Sequence, residues 1–279
     1  MNTQLEYKLR NNPLSYRELL TIPSNISFGL ELELDKINPN EVYHLVKKNF
    51  GDSWQVKSDD SLTKNQNSEI ASPVLNNKKD TWILLKKMGE LLEKIQPNYD
   101  KCSFQINFDG SLLPSIEDRI RFLKLYTLYE DLIYRFSKGE DINYRETLDI
   151  YAAPISLMLK SSLELGDEAP LEMFTNNKRY GIIFKLYDET DLIEFRTPNM
   201  TSNPILWQNY ITAFYYLLEF ATSDKCDSKE LDDYIEKFSK LYVLENYELE
   251  KKEKAVQFTK KIFHNPIDQI YFLHQYLKK

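Results

Sequence analysis

Apolar and polar residues alternate strictly in one early stretch of this chain. In FGLELELD, residues 28–35, every second residue is apolar, and the residues between them are Gly29, Glu31, Glu33 and Asp35. Successive side chains of a β-strand point to opposite faces. The stretch therefore predicts a strand with one face for a core and one acidic face, whereas an ordinary surface strand would mix in Lys, Thr or Ser.

The same alternation recurs further along the chain. KCSFQINFDG, residues 101–110, predicts a strand whose polar side carries Ser103, Gln105, Asn107 and Asp109. RYGIIFKLYDETDLIEFRTP, residues 179–198, predicts a hairpin, because two apolar runs flank the turn-forming DET. A strand followed by a turn is predicted at residues 54–62, and a second strand, which Pro73 stops, at residues 68–75.

Helical spacing of apolar residues fills the segments between these strands. It predicts helices at residues 38–51, 78–95, 114–136 and 203–221, and the third has a possible Ser115–Asp118 capping box. Charged helices are predicted after residue 224. This order predicts an α+β fold with a mainly antiparallel sheet, helices on one face of it, and the acidic face opposite them.

The chain divides into three predicted parts. Residues 1–27 form an N-terminal segment, residues 28–223 the main domain, and residues 224–279 a helical C-terminal appendage.

Charge and composition exclude several classes of function. The net charge is −7 and the isoelectric point about 5.2, which argues against a general nucleic-acid or anionic-membrane binder. Cys102 and Cys226 are too few for a disulfide framework or a zinc site. The N-terminal residues lack the apolar stretch of a signal peptide, and no apolar run is long enough to span a membrane. We therefore expect a cytoplasmic protein.

The polar positions of the strands form a candidate site. Glu31 and Glu33 are neighbours on one strand face, as are Glu194 and Arg196, and Glu69 lies on a short strand. Carboxylates that are close together repel one another unless a cation joins them, and Mg²⁺ prefers carboxylate oxygens together with substrate phosphates. An arginine beside them suits a transferring phosphoryl group. Each of these pieces alone is typical of a solvated polar face; together they indicate a nucleotide triphosphate site without a P-loop.

Four segments resemble the amidoligase family, which belongs to the glutamine synthetase and glutamate–cysteine ligase superfamily. FGLELELD is similar to the GxExE strand of that family, and WQVKSDDSLTKNQNSEIASPVL to its following block of DxSL and E-hydrophobic-x-SP. CSFQINF lies where the family has a GxHxH strand, and DLIEFRTPNMTSNP is similar to its late EFR-x-x-N-x-T hairpin. The resemblance runs from about Phe28 to Glu219, in the same order and spacing.

The resemblance implies a fold, a reaction and a set of site residues. The fold would be a glutamine synthetase-like antiparallel sheet cupping an active site. The protein would use ATP and Mg²⁺ to phosphorylate a carboxylate, which an amine then attacks to form an amide. Metal ligands would be Glu31, Glu33, Glu69 and Glu194, with Glu33 and Arg196 as catalytic residues. Nucleotide contacts would come from Arg196, Arg179, Lys185, Gln105 and Asn107.

One departure from the family leaves alternatives open. Gln105 and Asn107 stand where the family has two histidines, and neither amide can act as a base. The chain could therefore be a non-catalytic nucleotide- or protein-binding module, with the C-terminal helices as a docking surface for a protein partner. A phosphotransferase of the same superfamily is a further alternative. The four retained carboxylates and Arg196 favour a ligase acting on a carboxylate and an amine, which could belong to an amino acid, a peptide or a protein.

Overall fold

A computed structural model describes residues 3–141, 143–166, 168–238, 247 and 249–277 of the chain. Seven strands are found in this part of the chain: β1 Ser27–Asp35, β2 Gln55–Lys57, β3 Asn67–Ala71, β4 Leu75–Asn76, β5 Phe104–Asp109, β6 Ile182–Tyr187 and β7 Thr190–Phe195. They form one sheet in the order β2-β3-β1-β5-β7-β6, and β4 pairs with the start of β1. Every pairing is antiparallel.

The helices fall between the strands and after them. Those in the first half of the chain are α1 Thr3–Asn11, α2 Pro39–Phe50, α3 Lys79–Ile95 and α4 Ile116–Ser137. Three short helices follow, α5 Leu148–Tyr151, α6 Ser156–Leu163 and α7 Ala169–Phe174. The last ones are α8 Pro204–Ala221, α9 Ser228–Lys237, α10 Lys252–Ile262 and α11 Pro266–Leu277. The predicted α+β class is therefore confirmed.

Local sequence signals account for where several helices begin. The Asn38 side chain accepts hydrogen bonds from the first turn of α2, and Gly51, directly after the helix, has a positive φ. Ser115 and Asp118 form the predicted capping box at the start of α4. Asn203 caps α8, with Pro204 in the first helical position.

The core lies between one face of the sheet and the helices α3, α4 and α8. Phe28 of β1 stacks on Trp82 of α3, with ring centroids 5.8 Å apart. Phe104 of β5 stacks on Trp207 of α8 at 5.5 Å. Phe195 of β7 stacks on Phe214 of α8 at 4.1 Å, and α4 contributes further aromatic rings to it. The apolar side of the alternating strands is thereby buried, and their polar side faces away from these helices.

The strand and turn predicted over residues 54–62 are confirmed, and the strand predicted over residues 68–75 is interrupted. In the first stretch β2 ends at Lys57, and Asp59 then accepts a hydrogen bond from the Ser61 backbone N–H and turns the chain. The strand predicted over residues 68–75 is divided into β3 and β4 by residues 72–74, where Ser72 Oγ instead accepts from the backbone of Leu30. The break includes Pro73, as the sequence indicates.

The C-terminal helices pack on the main domain. α9 contacts α4, and α11 contacts both α4 and α8. Phe272 of α11 stacks on Phe136 of α4, with centroids 4.4 Å apart. The predicted boundary at residue 224 lies in the turn between α8 and α9, and a separately folding appendage stays a prediction. In the described part of the chain, no helix combines the length and the apolar character needed to cross a membrane.

Candidate functional site

A pocket of about 580 Å³ lies over the polar face of the sheet. Its walls carry charged side chains of both signs. The acidic ones are Glu31, Glu33, Asp59, Asp60 and Glu69, and the basic ones are Lys57, Arg145, Lys178, Lys185 and Arg196. The lining therefore suits an anionic ligand that binds together with a cation. It suits a ligand whose charges all have one sign less well.

Strand register brings the predicted acidic residues together. Glu33 of β1 lies directly opposite Glu69 of β3. On the other side of β1, Glu31 lies opposite Gln105 of β5. Asn107 of β5 in turn lies opposite Glu194 of β7. Because directly opposed residues of an antiparallel pair share a face, the polar positions of four strands form one continuous surface.

Glu33 is held by two short hydrogen bonds at the floor of the pocket. One carboxylate oxygen accepts from the Ser103 backbone N–H at 2.6 Å, and the other accepts from Gln105 Nε2 at 2.6 Å. Burial raises the pKa of Glu33, against the opposing effects of Ser103 and of the positive charge of Arg145. Glu33 is a fixed carboxylate whose charge is only partly compensated.

Among the described residues, Lys57 forms the ion pair with Glu69. Its carboxylate lies 2.8 Å from Lys57 Nζ, and the Lys57 side chain is 57% exposed while that of Glu69 is 8% exposed. Burial, together with the negative charge of Glu31, raises the pKa of Glu69 to about 7. The Lys57 side chain therefore lies mostly in solvent, whereas Glu69 is buried in the wall beside Glu33.

A second group of charges joins β1, β6 and β7. Lys185 Nζ lies 2.9 Å from Glu31 and also contacts Glu194, which in turn lies 2.5 Å from Arg196 Nη1. Burial alone would lower the pKa of Lys185, but Glu194 and Glu31 outweigh it and raise that pKa. Burial alone would raise the pKa of Glu31, but Lys185 outweighs it and lowers that pKa. This group is internally neutralised.

Two carboxamides separate the charged side chains. Gln105 donates from Nε2 to Glu33 and accepts at Oε1 from Arg196 Nη1 at 2.8 Å. Asn107 donates from Nδ2 to Glu31 at 3.0 Å. The Asn107 Oδ1 atom is buried and has no hydrogen-bond partner among the described residues. Both amides therefore connect the predicted site residues without adding charge.

Most of the predicted site residues line the pocket, but some do not. Glu31, Glu33, Glu69, Gln105, Lys185 and Arg196 line the pocket. Glu194 is fully buried and lies behind Lys185 and Arg196, and it is not part of the lining. Arg179 is exposed in the turn before β6 and lies outside the lining. The described residues contain no group of three or more Asp, Glu, His or Cys side chains placed to hold one metal ion. The assignment of the four glutamates as metal ligands stays a prediction.

Sequence reasoning missed Lys57 and Arg145. Lys57 lies opposite Glu69, which only the register between β2 and β3 reveals. Arg145 lies in an irregular segment that carries no periodic signal, and it is 4% exposed. It donates to the backbone carbonyls of Arg196, Thr197 and Pro198 and so fixes the end of β7. Burial lowers the pKa of Arg145 to about 10.

A smaller pocket of about 260 Å³ adjoins the first one at Glu31. Gly29, Asn107 and Leu192 contribute to its floor, and residues 71–74 to its wall. Its lining contains no Lys, Arg or His side chain among the described residues. The two pockets therefore differ in charge and share one carboxylate.

No protein-family model matches this chain, and no curated protein sequence matches it significantly. The resemblance to amidoligases therefore depends on the four motifs and their order along the sequence.

Proposed function

We propose that this protein is an ATP- and Mg²⁺-dependent carboxylate–amine ligase of the amidoligase type, which forms an amide through an acyl phosphate. One observation carries the proposal. Glu33 and Glu69 face each other in a pocket that also presents Arg196 and Lys185. Carboxylates for a metal ion and cations for phosphate therefore line one cavity.

The antiparallel sheet, with helices on its apolar face and the pocket on its polar face, supports a glutamine synthetase-like fold.

The oxygen donors fit magnesium. Glu33 and Glu69 would hold the ion, because both line the pocket and the close cation on Glu69, Lys57, is more than half exposed. Hard oxygen ligands of this kind are the ones that Mg²⁺ takes together with phosphate oxygens. A bound ion would offset the negative charge of the triphosphate.

The chain's own residues supply the remaining requirements. A carboxylate oxygen of the substrate must attack the γ-phosphorus of ATP, and both groups are anions. Arg196, Lys185 and Lys57 line the pocket in which those anions would meet. The attack forms an acyl phosphate and releases ADP. The amine nitrogen then attacks the carbonyl carbon, and phosphate and a proton leave.

The smaller pocket supports a second substrate. It opens beside Glu31 and has no cationic side chain in its described lining, so it favours an amine over another anion. A kinase of the same superfamily would need only one acceptor site beside the nucleotide. Two adjoining pockets of different charge therefore favour ligation.

A nucleotide-binding module without turnover is the second candidate. Its support is that both ends of the Gln105 amide are already engaged, with Glu33 and with Arg196. Such a module would bind the nucleotide and leave it intact. A phosphotransferase would instead yield a stable phosphorylated product.

Trapping of the acyl phosphate tests the proposal. The protein is incubated with ATP, Mg²⁺, hydroxylamine and pools of amino acids and small carboxylic acids. A ligase converts the activated carboxylate to a hydroxamate, which mass spectrometry detects, with one ADP formed per hydroxamate. Arg196→Lys should lower this yield strongly, because lysine has one nitrogen and cannot replace both Nη1, which donates to Glu194 and Gln105, and Nε, which donates to the Tyr151 carbonyl. Nucleotide binding without hydroxamate or ADP across all pools would support the binding module instead.

A further inference from the structure

Lys185 occupies a position between two carboxylates that come from distant strands. It lies on the edge strand β6, and β7 and β5 separate that strand from β1. Its Nζ atom nevertheless lies 2.9 Å from Glu31 of β1 and also contacts Glu194 of β7. One ammonium group therefore joins carboxylates contributed by two different strands.

This contact differs from a surface ion pair in its burial. The side chains of Lys185, Glu31 and Glu194 are 14%, 18% and 0% exposed. Lys57, the other lysine bound to a site carboxylate, is 57% exposed. Without Lys185, the carboxylates of Glu31 and Glu194 would lose the cation that they share, in surroundings with little water to screen their charge.

The surroundings of the ammonium offer oxygen atoms. Asn107 lies opposite Glu194 in the register and donates its Nδ2 hydrogen to the same Glu31 oxygen that Lys185 contacts. Its Oδ1 atom is buried without a hydrogen-bond partner, and the Asn107 residue is only 7% exposed. Two carboxylates and a spare amide oxygen are ligands that a hard divalent cation takes. In this chain the Lys185 nitrogen contacts both carboxylates.

We propose that the Lys185 ammonium is a built-in cation that takes the place of a divalent metal ion between Glu31 and Glu194. The inference rests on the proposed function, in which Glu33 and Glu69 hold the metal that accompanies the nucleotide. The pocket then takes one divalent ion fewer than its carboxylates could support. The charge of Lys185 stays with the protein in every state of the reaction, whereas a metal ion can arrive and leave with the nucleotide.

Manganese binding tests this role without nucleotide or turnover. Free Mn²⁺ is counted by electron paramagnetic resonance during titration of the wild type, Lys185→Met, Lys185→Arg and Lys57→Met. We expect Lys185→Met to bind one Mn²⁺ per chain more than the wild type. Lys185→Arg should bind the same number as the wild type, because the positive charge is retained. Lys57→Met, the matched control, should not add a site, because the cation between Glu31 and Glu194 is still present.

Several outcomes would overturn the inference. Equal Mn²⁺ numbers for Lys185→Met and the wild type would do so, and so would a gain in Lys185→Arg equal to that in Lys185→Met. If Lys185→Met unfolds, its thermal unfolding is followed with and without Mn²⁺; recovery of the folded state by Mn²⁺ in this variant alone supports the inference, and no recovery contradicts it. A wild type with no Mn²⁺ site and a variant with one would keep the inference and contradict the metal assignment to Glu33 and Glu69. One Mn²⁺ site in both the wild type and Lys185→Met would contradict the inference and keep the metal assignment to Glu33 and Glu69.

Discussion

At the scale of single residues, Gln105 is the link between the two parts of the pocket. Its amide donates to Glu33 and accepts from Arg196, so one uncharged side chain positions both predicted catalytic residues. A carboxylate at this position would repel Glu33, and an apolar side chain would leave both partners short of a hydrogen bond. The residue that departs from the amidoligase pattern is thus integrated into the charge network.

Replacing Gln105 by Leu should lower the free energy of unfolding by about 2 kcal/mol. The physical reason is that buried atoms of Glu33 and Arg196 each lose a hydrogen-bond partner. Urea denaturation followed by circular dichroism measures the change. Gln55→Leu, in an exposed position of β2, is the control and should change stability little. Equal effects of the two substitutions would contradict the role given to Gln105.

Glu130 gives a prediction for the pH dependence of stability. This residue of α4 is buried and accepts hydrogen bonds from the Ile155 backbone N–H and from Tyr247 Oη, and burial raises its pKa to about 7. Between the usual value of 4.5 and about 7, the folded protein keeps a proton that the unfolded chain releases. The contribution of Glu130 to stability is therefore present at low pH and is lost as the pH rises through this window.

The Glu130→Gln variant isolates this contribution because glutamine does not titrate. From pH 5 to pH 8, the free energy of unfolding of the wild type should fall relative to that of the variant, by up to about 3 kcal/mol. Urea titrations at several pH values give the difference. The pKa of Glu69 is also raised, but Glu69 is present in both proteins, so its contribution cancels in the difference between them. Parallel pH curves would show that Glu130 does not carry the effect.

At the scale of the elements, the alternation of side chains predicted much of the site. Strict period-two patterns located β1, β5 and the β6–β7 hairpin and placed Glu31, Glu33, Gln105 and Arg196 on polar faces. The order of the strands does not follow from these patterns, because any of the apolar faces could pack beside any other. Only that order shows that Lys185 reaches Glu31.

The irregular segments explain the residues that the sequence did not reveal. Arg145 acts through carbonyl groups at the end of β7, and such contacts leave no pattern in either chain segment. The end of β2 at Lys57 depends on the Asp59 turn, which competes with strand pairing. Local hydrogen bonds of this kind determine the shape of the pocket rim, and the alternation of apolar and polar residues does not predict them.

Two strand-associated glycines should respond oppositely to alanine. A Cβ atom at Gly181 would lie 2.5 Å from Tyr134 Oη and 2.7 Å from Thr197, next to the backbone that carries Arg196. A Cβ atom at Gly29 would meet only Asn107, at an ordinary 3.8 Å. Gly181→Ala should therefore lower the free energy of unfolding by about 2 kcal/mol, since overpacking forces a shift. Gly29→Ala should raise it by about 0.5 kcal/mol. Thermal and urea denaturation of the two variants measure these changes. A lower stability of Gly29→Ala would contradict the open space observed above Gly29 in the pocket floor.

At the scale of the whole molecule, the C-terminal helices share the core of the main domain. Buried apolar side chains of α9, α10 and α11 belong to the same cluster as those of the sheet and of α4. The sequence pattern predicts an appendage because the surface of these helices is highly charged. Pairing of aromatic rings across α4 and α11 is a tertiary feature that composition does not show.

Phe272→Ala tests this continuity. Loss of the ring that stacks on Phe136 should lower the stability by about 4 kcal/mol, because a large cavity opens inside the shared core. Unfolding should remain a single transition when followed by near-ultraviolet and far-ultraviolet circular dichroism. Two separate transitions, with only one affected by the substitution, would instead show that residues 224–279 fold as a separate unit.

The central claim, that the polar face is a metal–nucleotide site, is tested most directly by calorimetry. A non-hydrolysable ATP analogue is titrated into the wild type with and without Mg²⁺, and into Glu33→Gln and Thr190→Val with Mg²⁺. Thr190 is an exposed strand residue outside both pocket linings and serves as the control. The account predicts binding that requires Mg²⁺, weakens in Glu33→Gln and is unchanged in Thr190→Val. Absence of binding under all conditions, or binding that is indifferent to both Mg²⁺ and Glu33, would contradict it.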